Sequence, residues 1–187
     1  ESRGLGNLNK AEVGLHRARL LRDLDDIYPI QLVHARDLLY SIVDLPLPNG
    51  IATTKENTTT LVHRTNLDET SAALAYVAQL MILLSTYLQT TLPYPLTSSG
   101  SRATVQDRIS IMKGPDRACG SLHDSFILSG KDNELYRYEY AVFLLNKDLE
   151  RLMNKFNVPL LDLRNTLPNL KNLLVTLSAA TPHSLTG

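Results

Sequence analysis

The sequence has one cysteine, no tryptophan and no excess of either charge. A lone Cys119 cannot close an internal disulfide or build a structural zinc site, so a reducing, intracellular setting is expected. Nineteen Lys and Arg offset nineteen Asp and Glu. A chain without a basic excess is poorly suited to phosphate backbones, which argues against nucleic acid as a partner. A Walker lysine loop is missing as well. The only Gly-x-Gly, at Gly4 and Gly6, follows no strand. The five histidines (His16, His34, His63, His123 and His183) form no pair at metal-ligand spacing, so neither a metal nor a cofactor is expected. Cys119 in Ala-Cys-Gly-Ser, with His123 four residues on, is weak support for a thiolate nucleophile. A hydrolase built on Cys119 is therefore the weakest functional class, and no catalytic residue is assigned.

What the chain has is leucine, 36 of 187 residues. With 43% apolar residues it excludes intrinsic disorder, and a chain of this length buries a real core. Glu1 stands where a starting methionine would, so the chain reads as part of a longer one. The run from Ala72 to Leu88 is nearly continuous in apolar character, at the lower edge of a spanning length. Tyr76, Gln79, Ser85, Thr86 and Tyr87 lie within it, and it reads as a buried core helix rather than a membrane span.

Residues 5–27 read as a helix, with Leu8, Leu15, Leu21 and Leu24 on one stripe. That stripe fits either the last turns of a coiled coil or a helix packed on its own domain. Tyr28-Pro29 ends it. Two strands are expected, Ile30 to His34 and Leu38 to Leu45. A Thr-rich loop spans Ile51 to Thr65, and its Asn57-Thr58-Thr59 is a chance glycosylation match in this setting. Asn66 with Glu69 reads as a capping box for the central helix, whose Leu80 and Leu84 belong to the core. Beyond an extended Leu92 to Leu96 come a Ser98 to Ser101 turn, a strand from Arg102 to Ile111 and a short strand at Phe126 to Leu128. Ser99-Gly100-Ser101-Arg102 offers backbone amides and a guanidinium to an anion, although a plain turn is the simpler reading. The clearest element is a long amphipathic helix from near Asp132. Leu135, Tyr138, Val142, Leu145, Leu149, Leu152 and Phe156 repeat along it at spacings of three and four. A last helix near Pro168 to Ser178 takes Thr166 as its cap. The alternation of helix and strands defines a mixed α/β domain of the α+β kind.

Several segments recur together in one order. They are Leu24-Asp25-Asp26-Ile27-Tyr28-Pro29-Ile30, Tyr40-Ser41-Ile42-Val43-Asp44-Leu45-Pro46-Leu47-Pro48 and Ala75-Tyr76-Val77-Ala78-Gln79-Leu80. Leu92-Pro93-Tyr94-Pro95-Leu96, Gly100-Ser101-Arg102-Ala103-Thr104-Val105-Gln106-Asp107 and Tyr140-Ala141-Val142-Phe143-Leu144-Leu145-Asn146-Lys147-Asp148 follow. Over about residues 24–148 this succession resembles the UVRAG/Barkor family, accessory subunits of class III phosphatidylinositol 3-kinase complexes. The Leu-Pro-Tyr-Pro and Gly-Ser-Arg segments favour the UVRAG-like branch, and mark Tyr94, Ser101 and Arg102 as a surface motif. Phe126-Ile127-Leu128-Ser129 departs from the Phe-Pro-Leu-Tyr expected before the long helix.

The resemblance implies repeated β-sheet/α-helix units, as in the autophagy-specific (BARA-type) domain of Beclin. The end of a coiled coil at 1–27 would precede a globular part at 28–187. It also implies a non-catalytic scaffold that pairs with a Beclin-type subunit through Leu8, Leu15, Leu21 and Leu24. Through the complex it would meet the lipid kinase and its regulatory kinase-like subunit. The setting implied is cytoplasmic, peripheral on endosomal and autophagic membranes. A module that binds lipid directly ranks second. The chain lacks tryptophan, and most of its aromatics fall within proposed helices and strands rather than loop tips.

Overall fold

A computed structural model describes residues 2–49, 67–100, 102–109, 124–129 and 135–179. The elements run α1 (Ser2–Ile27), β1 (Ile30–His34), β2 (Leu39–Ile42), β3 (Leu45–Leu47), α2 (Leu67–Tyr87), β4 (Leu96–Ser99), β5 (Arg102–Asp107), β6 (Asp124–Ile127), α3 (Leu135–Lys155) and α4 (Thr166–Ala179). The fold is α+β. Two three-stranded antiparallel meanders, β1-β2-β3 and β4-β5-β6, are each followed by a long helix. The chain thus repeats one pattern of sheet and then helix.

The central helix α2 explains the arrangement. It is apolar round most of its circumference, so one covering layer would leave much of that surface wet. Instead it packs against β2 and β3 of the first sheet and β4 and β5 of the second. Ala73, Leu74, Val77, Ala78, Leu80, Met81 and Leu84 along it are sealed from solvent. By length and composition Asp68–Tyr87 would also suffice to cross a membrane. Here its apolar faces lie in one continuous core with α1, both sheets, α3 and α4. The Thr-rich stretch with Asn57, the capping box at Asn66, and Cys119 with His123 lie outside the described residues.

The strand expected over Leu38 to Leu45 is instead a hairpin. Val43 and Asp44 take φ of 49° and 62°, and this two-residue turn folds Leu45–Leu47 back on Leu39–Ile42. Turns with two left-handed residues match the twist of antiparallel strands. A β-branched Val is a poor advertisement for one, because its Cβ crowds that conformation. The Gly/Ser turn is narrower than expected. Leu96–Ser99 forms β4 and pairs with Arg102–Asp107, leaving Gly100 at φ 62° in a two-residue connection.

Both long helices end without glycine. The Thr90 amide donates to the Ser85 carbonyl at 2.9 Å and that of Gln89 to Thr86 at 3.2 Å. Val158 to Met153 (2.9 Å) and Asn157 to Asn154 (3.3 Å) repeat the pattern. These paired bonds are the Schellman closure, with Gln89 and Asn157 at its left-handed position. Lys155 Nζ then donates to the Gln89 carbonyl (3.2 Å) and to Thr90 Oγ1 (2.9 Å), so one cation ties the two helix ends together.

The α3 stripe faces inward, with Leu145, Leu149 and Leu152 fully buried and Val142 half-buried at its margin. Leu145 has no solvent exposure. Leu145→Ala therefore opens a cavity as well as losing apolar burial, at a cost of roughly 2–5 kcal/mol. Urea unfolding of the variant checks this; a loss under about 1 kcal/mol is what a surface position gives.

Candidate functional site

The first helix carries two apolar rows that its spacing does not separate by eye. Ala18, Leu21 and Leu24 turn inward, with Leu21 at 0% exposure and Leu24 at 2%. Val13, Leu20 and Ile27 turn outward at 45%, 37% and 62%. Their spacing of seven residues shifts each by only about 20° around the helix, so they form a nearly straight outer row. Leu15, 57% exposed, sits well apart from that row around the helix. Leu8 lies where no side chain is described. The four leucines expected on one partner-facing stripe are thus divided: Leu21 and Leu24 occupy this chain's own core.

Polar contacts fix the rotation of α1 that produces this division. Arg17, buried on the helix, donates from Nη2 to Gln89 Oε1 at 2.7 Å, just past the end of α2. Lys171 of α4 reaches both oxygens of Asp25 at 2.7 and 2.9 Å. Both groups of that ion pair are about one-third exposed, so it contributes little to stability and mainly sets orientation. Next to Ile27, Tyr28 meets Tyr76 edge-on at 6.2 Å. A cleft of about 390 Å³ opens there, floored by Ala72 and Ala75 and walled by Tyr28, Tyr76, Gln79 and the Gly100 turn.

Two residues of the expected surface motif are described. Tyr94 packs half-buried against the core, Arg102 is exposed at the start of β5, and Ser101 lies outside the described residues. The Tyr94 amide instead donates to Oδ1 of Asp148 at 3.0 Å. Asp148 has no exposure, and its Oδ2 has no hydrogen-bond partner among the described residues. Burial pushes its pKa up from 3.8 to about 7, against the opposing pull of the Tyr94 amide. The position was legible: Asp148 lies four residues after Leu144 and four before Leu152, inside the apolar stripe.

Other buried polar groups on α3 and its neighbours are satisfied. Tyr140 donates to Asp107 Oδ2 at 2.6 Å. Thr166 donates to Asn146 Oδ1 at 2.8 Å rather than capping its own helix through that hydroxyl. Asn169 brackets the preceding loop, donating to the Asp162 carbonyl at 2.7 Å and accepting from the Leu161 amide at 3.0 Å. Among the described residues no three His, Cys, Asp or Glu gather as a metal site would require. The arrangement positions elements and presents an outer face.

Residues 9–172 match the family described as Vacuolar sorting 38 and autophagy-related subunit 14. The chain belongs to that family. It is 32% identical over 164 residues, 88% of its length, to the UV radiation resistance-associated protein of Mus musculus. It is 29% identical over 106 residues, 57% of its length, to the Vacuolar protein sorting-associated protein 38 of Schizosaccharomyces pombe (strain 972 / ATCC 24843). The aligned part spans 21% of each relative.

Asp148 yields a pH test. Its folded pKa of about 7 exceeds the unfolded 3.8, so between those values the folded state holds a proton that the unfolded state has released. Stability from this group is therefore greatest below about pH 4, falls as pH rises through the window, and levels off above 7. The span is roughly 4 kcal/mol at most, three pKa steps at about 1.4 kcal/mol each. Asp148→Asn keeps an acceptor for Tyr94 and removes the charge. Urea unfolding from pH 4 to 8 should show the variant gaining on the native chain as pH rises; parallel curves refute the assignment.

Proposed function

We propose that this chain is a non-catalytic scaffold domain of an accessory subunit of a class III phosphatidylinositol 3-kinase complex. In this reading it pairs with a Beclin-type subunit and meets the lipid kinase and its kinase-like regulatory subunit through the complex. It serves on endosomal and autophagic membranes from the cytoplasmic side. Family membership and a relative in vacuolar protein sorting support the class of assembly. The likeness to the UV radiation resistance-associated protein covers more of the chain, which favours the UVRAG-like branch. The repeated sheet-and-helix units favour likeness to Beclin's autophagy-specific domain. Residues 1–27 form the end of the coiled-coil helix and 28–187 the globular part, with Ala18, Leu21 and Leu24 packed into the junction.

The observation that carries the pairing is the outer row Val13, Leu20 and Ile27. A heptad-spaced apolar row left exposed on a helix whose neighbouring face is already packed is what a second helix requires. The partner helix is accordingly assigned to this row, in place of the inward Leu21 and Leu24. A second reading, direct contact with lipid, is favoured by exposed Tyr136 and Phe143 on α3, with Lys147 lying 5.7 Å over the Phe143 ring. Liposome flotation separates the two, since a lipid module binds unaided.

Two substitutions in adjacent residues test the pairing. In the 187-residue chain, Leu20→Glu should weaken capture of a Beclin-type subunit at least about tenfold, because it buries a charge in an apolar seam. Its unfolding curve should stay within about 0.5 kcal/mol of native, as an exposed position allows. Leu21→Ala should do the reverse, losing roughly 2–5 kcal/mol of stability while retaining capture below the melting transition. Capture untouched by Leu20→Glu removes the outer row as the partner's seat.

A further inference from the structure

The outer strand of the first sheet is unusually bare. β1 forms the edge of the order β1-β2-β3, and β2 is its one substantial neighbour among the described elements. After buried Ile30, all of Gln31, Leu32, Val33 and His34 are exposed. Leu32 stands at 47%, Val33 at 50% and, across the connecting turn, Leu38 at 52%. Leu38 also holds φ at 47°, a costly conformation for a branched side chain that gains no burial there. Asn49 secures it by donating to the Leu38 carbonyl at 2.7 Å.

The direction of the strand's backbone groups follows from its register. The Val43 amide donates to the Pro29 carbonyl at 3.1 Å, so Pro29 and Val43 form a hydrogen-bonded pair. Ile30 opposite Ile42, Gln31 opposite Ser41 and Leu32 opposite Tyr40 continue that register. Hydrogen-bonded and non-bonded pairs alternate in antiparallel ladders. Gln31 therefore bonds to β2, whereas Ile30 and Leu32 turn their amides and carbonyls to the open edge. A bulge between Leu32 and His34 closes the regular stretch.

We propose that this edge pairs with the same edge of a second copy of the chain, joining two three-stranded sheets into one of six strands. The edge is complementary to itself. An antiparallel pair centred on Leu32 lets the two Leu32 residues exchange both backbone bonds. Their side chains then meet on the face that already carries buried Ile30, so the apolar layer of one copy runs on into the other. Ile30-Gln31-Leu32-Val33-His34 holds no carboxylate, lysine or arginine to repel its twin, and the whole chain is neutral. A twofold pairing of like with like is also the commonest closed symmetry. The pairing uses a different element from the outer row of α1, so the two interactions are separable.

Sedimentation equilibrium of the 187-residue chain, at loadings up to about 1 mM, reads the association directly. A monomer–dimer equilibrium is expected. Leu32→Pro removes an amide that points to the open edge and leaves the bonds to β2 in place, so it should weaken dimerisation at least about tenfold. Leu32→Lys, on an exposed side chain, should do the same by charging the edge. Urea unfolding curves coincident with the native chain show that either variant is folded. Slowed deuterium exchange of the Leu32 amide at high concentration would place the contact on β1. A chain that stays monomeric throughout overturns the proposal. So does a dimer that survives both folded Leu32 variants, or one lost to Leu20→Glu alone, which would put the contact on α1.

Discussion

A helix that is apolar round most of its circumference has to be covered over most of it, and most of this fold answers that requirement of α2. A stripe through Tyr76, Gln79 and Thr86 stays partly open. Two sheets pack on it, and the second hands the chain to α3, which adds to the cover. A single sheet would have left Leu74, Leu80 and Leu84 competing for one face. The same composition that would suit a bilayer here builds a two-sided protein interior. Removing apolar area from water is favourable in either environment; the neighbours supplied by the sequence decide which one is realised.

The polar contacts have a narrower task. Arg17 to Gln89 and Lys171 to Asp25 tie α1 to the ends of other elements. With α1 held at these two points, Val13, Leu20 and Ile27 are left to solvent or to a partner. Asp148 is the exception to comfortable burial: one oxygen holds the Tyr94 amide while the other faces apolar surroundings. That carboxyl holds the Pro93-Tyr94-Pro95 crossing against α3 at an electrostatic cost.

Much of this was legible in the sequence, and the rest was hidden for definite reasons. Periodicity found α2, α3 and α4, since spacings of three and four over many turns leave no competing pattern. It did not separate the two rows of α1, because Leu20, Leu21 and Leu24 all satisfy some helical stripe and only docking selects one. The turn at Val43 and Asp44 was invisible because tertiary pairing imposes a conformation that valine itself disfavours. β4 was missed because Ser98 and Ser99 read as a turn, and four residues are too few to show alternation. Of the residues marked for function, Leu20 and Ile27 were absent. The spacing of seven from Val13 was present, yet exposure is a property of the folded surface and not of the spacing.

The ion pair between Asp25 and Lys171 joins residues 146 positions apart. The meanders and the turns between helices are local and can form early, whereas α1 can seat against α4 only after nearly the whole chain has been gathered. Among the helices α1 and α4 share the most extensive contact, so seating α1 closes the longest loop of the fold and joins the two ends of the described chain. A pull on the outer row of α1 would therefore be felt at α4, through Asp25 and Lys171, and not at the first helix alone.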